Sequence, residues 1–163
     1  MPDEEPSLDG IASSERVILV AGLPGSGKTT LLSRMSRNGW SIFDDYKRGA
    51  PDLVFRNSLV FQDLVGAVRD GHKCVVADIH FCKTEARVEA EGSLREEVPG
   101  ITLGWRFFDN DPLACEANIR NRNRDCFQSE LEYVQQLSPS YRIPQGAIVF
   151  PIRRNANPYV TEN

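Results

Sequence analysis

The chain has 163 residues, of which 40% are hydrophobic and 26% are charged, and its formal net charge is −4. This length suits a single domain with a substantial core, and no apolar run approaches the ~20 residues of a membrane span. The N-terminus lacks the basic-then-apolar pattern of a signal peptide, so a cytoplasmic protein is expected.

Strand-like and helical segments alternate along the chain, which predicts a parallel sheet with helices on both faces. The predicted strands cover residues 16–21, 40–43, 73–77, 101–108 and 147–152. The first predicted helix ends at residue 37, and the second and third cover residues 52–70 and 84–98. The fourth begins at Pro112, and the fifth covers residues 129–137. Asp52 and Thr84 are the predicted N-caps of the second and third helices.

The negative charge is concentrated at the N-terminus. Residues 1–14 contain four acidic residues and no Lys or Arg, whereas the rest of the chain has 19 acidic and 19 basic residues. We therefore expect a disordered acidic tail over residues 1–14 and one domain over residues 15–163. A domain that is neutral overall does not favour binding of nucleic acid, although a local basic pocket is compatible with this composition.

The segment between the first strand and the first helix carries the most specific motif. Residues 22–29 read Gly-Leu-Pro-Gly-Ser-Gly-Lys-Thr and fit the phosphate-loop pattern G-x-x-x-x-G-K-[ST]. Its glycines allow backbone N–H groups to approach a phosphate, Lys28 would reach the β- and γ-phosphates, and Thr29 would bind Mg²⁺. The predicted nucleotide-binding residues are Gly22, Pro24, Gly25, Ser26, Gly27, Lys28, Thr29 and Thr30.

Acidic residues follow three of the predicted strands, at the sheet edge where ligands bind in such folds. Asp44 is the candidate general base for a hydroxyl acceptor, unless the pair Asp44 and Asp45 only forms a turn. Asp78 follows a hydrophobic strand and is a candidate for binding Mg²⁺ through water or for contacting substrate. The alternative for Asp78 is capping of the next turn. For Asp109 we favour a role at a helix start.

The fourth helix ends in three arginines. At 100° per residue, Leu113, Ala117, Arg120 and Arg124 share one stripe, and Arg122 lies opposite. We expect the stripe to continue from the core into the cleft, so that Arg120 and Arg124 bind the transferring phosphate there. The alternative is a solvated basic helix end that interacts favourably with the helix dipole.

These motifs together resemble the P-loop kinases, close to the polynucleotide kinase and zeta-toxin branch that is also grouped with AAA-type ATP-binding domains. The resemblance rests on residues 22–30, on Phe-Asp-Asp-Tyr-Lys at 43–47, on Val-Val-Ala-Asp at 75–78 and on residues 120–124. It implies a three-layer P-loop NTPase sandwich with strand order 2-3-1-4-5.

The resemblance also implies functions for individual residues. ATP and Mg²⁺ would be the cofactors, Asp44 the general base, and Arg120 and Arg124 part of a lid over ATP. Lys47 would hold an acceptor phosphate and Asp78 would contact substrate.

The leading hypothesis is therefore a kinase that transfers the γ-phosphate of ATP to a hydroxyl. Nucleic-acid ends, nucleosides, sugars and nucleotide-sugars all remain open as acceptors, and so does the oligomeric state. The alternative is an ATPase or a nucleotide-binding module without phosphotransfer. A GTPase is not favoured, because no Asn-Lys-x-Asp motif is present. The spacings of the four cysteines match no common zinc site.

Overall fold

A five-stranded parallel sheet forms the centre of the fold in a computed structural model, which describes residues 14–44 and 54–154. The strand order is β2-β3-β1-β4-β5, and all four neighbouring pairs are parallel. The predicted order 2-3-1-4-5 is thereby confirmed. The strands are β1 Val17–Ala21, β2 Ser41–Asp44, β3 Cys74–Asp78, β4 Leu103–Phe108 and β5 Val149–Phe150.

Helices connect these strands, because parallel strands require long crossover connections. The helices are α1 Lys28–Arg37, α2 Phe61–Arg69, α3 Thr84–Glu97, α4 Pro112–Arg122 and α5 Phe127–Leu137. In the described part of the chain, no helix combines the length and the apolar character needed to cross a bilayer.

Alternation along β1 creates a separate apolar core on each face of the sheet. Val17 and Leu19 pack with residues of α2, α3, α4 and α5, whereas Ile18 and Val20 pack with residues of α1. All five residues of β1 are fully buried, as expected for a strand covered on both faces. The central strand and the phosphate loop that follows it are thus held from both sides.

The start of α2 and the length of β5 differ from the prediction for a clear physical reason, whereas the other boundaries differ by at most two residues. The second helix begins at Phe61 rather than residue 52, because Phe55 is fully buried in a short 3₁₀ turn and its N–H donates to the Glu89 carboxylate. Ser58 after this turn is extended, which separates it from α2. The last strand covers only Val149–Phe150, since Pro151 has no N–H to continue the ladder.

The predicted helix caps had mixed outcomes. Asp111 accepts a hydrogen bond from the N–H of Ala114, and Pro112 occupies the first turn of α4 as expected. Thr84 is the first residue of α3 rather than its cap, and its hydroxyl accepts from Arg87. Asp52 lies outside the described residues.

Tyr141 joins the ends of two strands next to the phosphate loop. Its buried hydroxyl donates to the carbonyl of Phe108 at 2.5 Å and lies 3.4 Å from the carbonyl of Ala21. Burial raises the pKa of Tyr141, so the hydroxyl remains a donor. The residue therefore bridges the carboxyl ends of β4 and β1.

We expect Tyr141→Phe to lower the free energy of unfolding by about 1–2 kcal/mol, because two buried carbonyls lose their contact with the hydroxyl. Denaturant unfolding measures this change. Tyr133→Phe is the matched control, since its ring is 39% exposed, and its effect should stay within about 0.5 kcal/mol. Equal losses in the two variants would contradict the bridging role.

Candidate functional site

The phosphate loop turns tightly between β1 and α1, as its glycine spacing predicts. Gly25 and Gly27 have φ angles of 80° and 109°, in the left-handed region that favours glycine. Leu23 is fully buried, and its carbonyl accepts a hydrogen bond from the N–H of Ser26. The loop is therefore anchored in the core while its later residues lead into the N-terminus of α1.

Helix α4 packs directly against this loop. A Cβ atom at Gly25 would lie 2.4 Å from the carbonyl oxygen of Cys115 and 2.9 Å from Cγ1 of Ile119. Asn118 is 1% exposed, and its Nδ2 donates to the carbonyl of Gly25 at 2.9 Å and to that of Arg153 at 2.7 Å. The loop thus has a fixed position relative to α4.

Lys28 lies folded onto the loop that carries it. Its Nζ donates to the carbonyls of Gly22 and Leu23 at 2.7 and 2.8 Å and is 3.4 Å from the hydroxyl of Ser26. Burial lowers the pKa of Lys28, and the nearby carboxylate of Asp44 opposes that shift. The ammonium group is therefore placed by backbone oxygens at the start of α1.

A cavity of about 420 Å³ opens over the loop. Residues 24–30 form its floor, and one residue from β2 and one following β3 form part of its wall. These two are Asp44 and Ile79. The opposite wall comes from α4, α5 and the connection between them: Arg122, Arg124, Cys126, Ser129, Glu130 and Tyr133.

This cavity brings together most of the predicted site residues. Those that line it are Pro24, Gly25, Ser26, Gly27, Lys28, Thr29, Thr30, Asp44 and Arg124. Gly22 lies below the loop, where a Cβ would be 2.5 Å from the hydroxyl of Ser26. Arg120 is exposed and does not line the cavity. Lys47 lies outside the described residues.

Asp78 is buried beside the cavity rather than in its wall. Its Oδ1 accepts from the N–H of His80 and pairs with Nδ1 of the same residue, both at 2.7 Å. The carboxylate caps the short 3₁₀ turn Ile79–Cys82, which is the capping alternative considered for this position. A contact of Asp78 with substrate or Mg²⁺ stays a prediction.

The stripe predicted for the fourth helix was wrong. Leu113 is 79% exposed, and the buried residues of α4 are Cys115, Asn118 and Ile119. The close contact between Gly25 and α4 decides which face is buried. Arg122 continues that face at the i, i+3, i+4, i+7 spacing. The same spacing is present in the sequence, where the polar Asn118 interrupts the apolar residues Cys115 and Ile119.

Arg122 and Glu130 form an ion pair in the cavity wall, which the sequence did not indicate. Nη2 of Arg122 lies 2.8 Å from Oε2 of Glu130. The thiol of Cys126 donates to the other carboxylate oxygen at 3.0 Å, which raises the pKa of Cys126. Nε of Arg122 is buried and has no hydrogen-bond partner among the described residues.

Few side chains at this site are suited to bind a metal ion. Within residues 14–44 and 54–154, no group of three or more His, Cys, Asp or Glu side chains is arranged to hold a metal ion. Of the two residues predicted to hold Mg²⁺, Thr29 lines the cavity with its hydroxyl side chain, and Asp78 does not line it. Mg²⁺ prefers oxygen ligands and keeps several waters when it binds phosphates, so this small donor set fits it.

Comparison with known proteins gave one relative that decides the family. No family model matches the chain. The uncharacterised protein R277 of Acanthamoeba polyphaga mimivirus is 30% identical over 130 residues, which is 78% of this chain and 87% of the viral protein. The chain belongs to the family of this viral protein. The family relationship thus covers most of both chains.

Solved structures share the fold at lower identity. A gluconokinase from Sinorhizobium meliloti 1021 matches with a TM-score of 0.57 and 13% identity, over 86% of this chain and 84% of the enzyme. The protein APE1195 matches with a TM-score of 0.53 and 20% identity, over 88% of each chain. With the strand order and the phosphate loop, these likenesses show that this family member has the P-loop kinase fold.

We expect Gly25→Ala to abolish nucleotide binding, because the new Cβ would clash with α4 and displace the loop. Titration with a fluorescent ATP analogue measures the loss, which should exceed tenfold (about 1.4 kcal/mol). Gly39→Ala is the matched control, since Gly39 has a similar φ of 89° but no atom within 4 Å of the added Cβ. Gly39→Ala should lose about 1–2 kcal/mol of stability from its left-handed backbone, and Gly25→Ala should lose more because of the added clash. If both variants lost nucleotide binding, backbone strain rather than the clash with α4 would be the cause.

Proposed function

We propose that this protein is an ATP-dependent kinase that transfers the γ-phosphoryl group to an alcohol hydroxyl. The observation that carries the proposal is that one cavity contains the phosphate-loop Lys28, the carboxylate of Asp44 and two arginines. Phosphoryl transfer requires mainly positioning and charge stabilisation, and these groups supply both. The particular polynucleotide kinase and zeta-toxin branch stays a prediction.

ATP would occupy the floor of the cavity. The N–H groups in the first turn of α1 and the dipole of this helix favour an anion there. Lys28 would exchange its loop carbonyls for phosphate oxygens, which form stronger charge-assisted hydrogen bonds. The hydroxyl of Thr29 would hold Mg²⁺, and the metal when bound neutralises phosphate charge.

Asp44 is the proposed general base. Its exposed carboxylate ends β2 and lines the cavity on the side opposite α5. An exposed base can reach an acceptor hydroxyl and accept its proton as the phosphoryl group is transferred. Lys47, three residues later, is proposed to hold an anionic acceptor such as a nucleic-acid end or a nucleotide-sugar.

The arginines of the opposite wall would stabilise the charge of the phosphates. Arg122 and Arg124 both line the cavity, and we propose them as the phosphate contacts. Arg120 is omitted from this role because its side chain is exposed on another face of α4. Planar guanidinium groups suit this role because they can bind two phosphate oxygens at once.

The acceptor class is tested by incubating the protein with Mg²⁺ and γ-labelled ATP. Oligonucleotides with a 5′-hydroxyl, nucleosides, monosaccharides and nucleotide-sugars are supplied separately. We expect label to appear in one acceptor class and to be lost in Lys28→Ala, because the loop cation is removed. Release of free phosphate alone, at the same rate with and without acceptor, would instead identify an ATPase.

The general base is tested by Asp44→Asn, which keeps the size of the side chain and removes its basicity. We expect kcat for transfer to fall by about 10²–10⁴-fold while the Kd for ATP changes less than about twofold. Asp70→Asn is the matched control, since Asp70 is exposed at the end of α2 and does not line the cavity. Unchanged transfer in Asp44→Asn would remove Asp44 from this role.

A further inference from the structure

An acidic side chain lies in the wall of a cavity that is otherwise suited to phosphates. Glu130 is in the first turn of α5 and lines the same cavity as Lys28, Thr29 and Arg122. Its side chain is 17% exposed. A carboxylate at this depth repels the negative charges of a polyphosphate, so its presence in the wall needs an explanation.

Both carboxylate oxygens of Glu130 are engaged by residues at the end of α4 and just before α5. Oε2 pairs with Nη2 of Arg122 at 2.8 Å, and Oε1 accepts from the thiol of Cys126 at 3.0 Å. The pair joins the last residue of α4 to the first turn of α5. Arg122 is therefore held in place before any phosphate arrives.

The pairing leaves Arg122 only partly satisfied. Its side chain is 23% exposed, and its buried Nε has no hydrogen-bond partner among the described residues. A buried guanidinium donor without a partner is unfavourable. A phosphate group in the cavity would supply acceptor oxygens that carry more charge than a carboxylate, and it would compete with Glu130 for the same guanidinium group.

We infer that Glu130 is a positioning residue that holds Arg122 at the cavity wall and gives it up to the phosphate chain of the nucleotide. The competition between the Glu130 carboxylate and phosphate then sets how strongly the affinity for a nucleotide depends on the number of its phosphate groups. This inference rests on the proposed function, because it takes Mg²⁺ATP as the occupant of the cavity. The inference goes beyond the proposed function because it assigns a role to Glu130.

The inference is tested by displacing a fluorescent ATP analogue with ATP or AMP in the presence of Mg²⁺. Glu130→Gln keeps the shape of the side chain and removes its charge, so Arg122 should become available at no cost. We expect ATP to bind about fivefold more tightly and AMP to change less than about twofold. Glu132→Gln, exposed on the same helix and outside this cavity, should change neither affinity.

A double-mutant cycle separates this mechanism from simple repulsion. Arg122→Ala alone should weaken ATP binding about tenfold. In that background Glu130→Gln should give less than half of its original gain, because no arginine remains to be released. A full gain in the Arg122→Ala background would overturn the inference in favour of direct repulsion. Thermal unfolding of each variant checks that α5 remains folded.

The remaining outcomes distinguish this inference from the proposed function. If the wild-type protein binds ATP and transfers phosphate but Glu130→Gln leaves the ATP and AMP affinities unchanged, only the role of Glu130 is overturned. Equal tightening of ATP and AMP would also overturn it. If the wild-type protein binds no nucleotide, the proposed function fails and this inference fails with it.

Discussion

The contact between the phosphate loop and α4 is the constraint on which the rest of the site depends. Gly25 touches the backbone of α4 so closely that no side chain fits between them. Asn118 then ties the same loop to the segment after β5 through the carbonyl of Arg153. Since β1 is buried on both faces, the loop, the helix and the C-terminal segment are tied to the core of the sheet. The helix that carries Arg122 is thereby given a fixed rotation over the phosphate loop.

That rotation explains why hydrophobic periodicity predicted the wrong buried face of α4. Burial of the stripe through Leu113 and Ala117 would have placed Leu113 inward and Arg120 at the cavity. The loop contact instead buries the face that carries Cys115, Asn118 and Ile119, and it leaves Leu113 exposed. Close packing requires a glycine at position 25, because the Cys115 carbonyl and the Ile119 side chain leave no room for a Cβ. Apolar content alone does not report this requirement.

Other parts of the molecule were predictable to the extent that they depend on local chemistry. The buried strands and the phosphate loop have strong local patterns, and the strand order came from the resemblance to P-loop kinases. The capping role of Asp78 was predictable, since capping by Asp is a local interaction, whereas its pairing with the ring of His80 was not. The start of α2 and the pair between Arg122 and Glu130 were not predictable. The former depends on burial of Phe55, and the latter on how α4 and α5 meet.

Lys28 and Arg122 both have hydrogen-bond partners before a ligand binds, and this affects how much binding free energy a ligand can gain. Lys28 donates to loop carbonyls, and Arg122 pairs through Nη2 with Glu130. A ligand must therefore replace existing bonds, and its net gain is the difference between phosphate and the present partners. Neutral carbonyls are weaker partners than a carboxylate. The exchange at Lys28 should accordingly supply affinity, whereas the exchange at Arg122 should supply selectivity for highly charged ligands. Two similar cations can thus have different roles because their resting partners differ in charge.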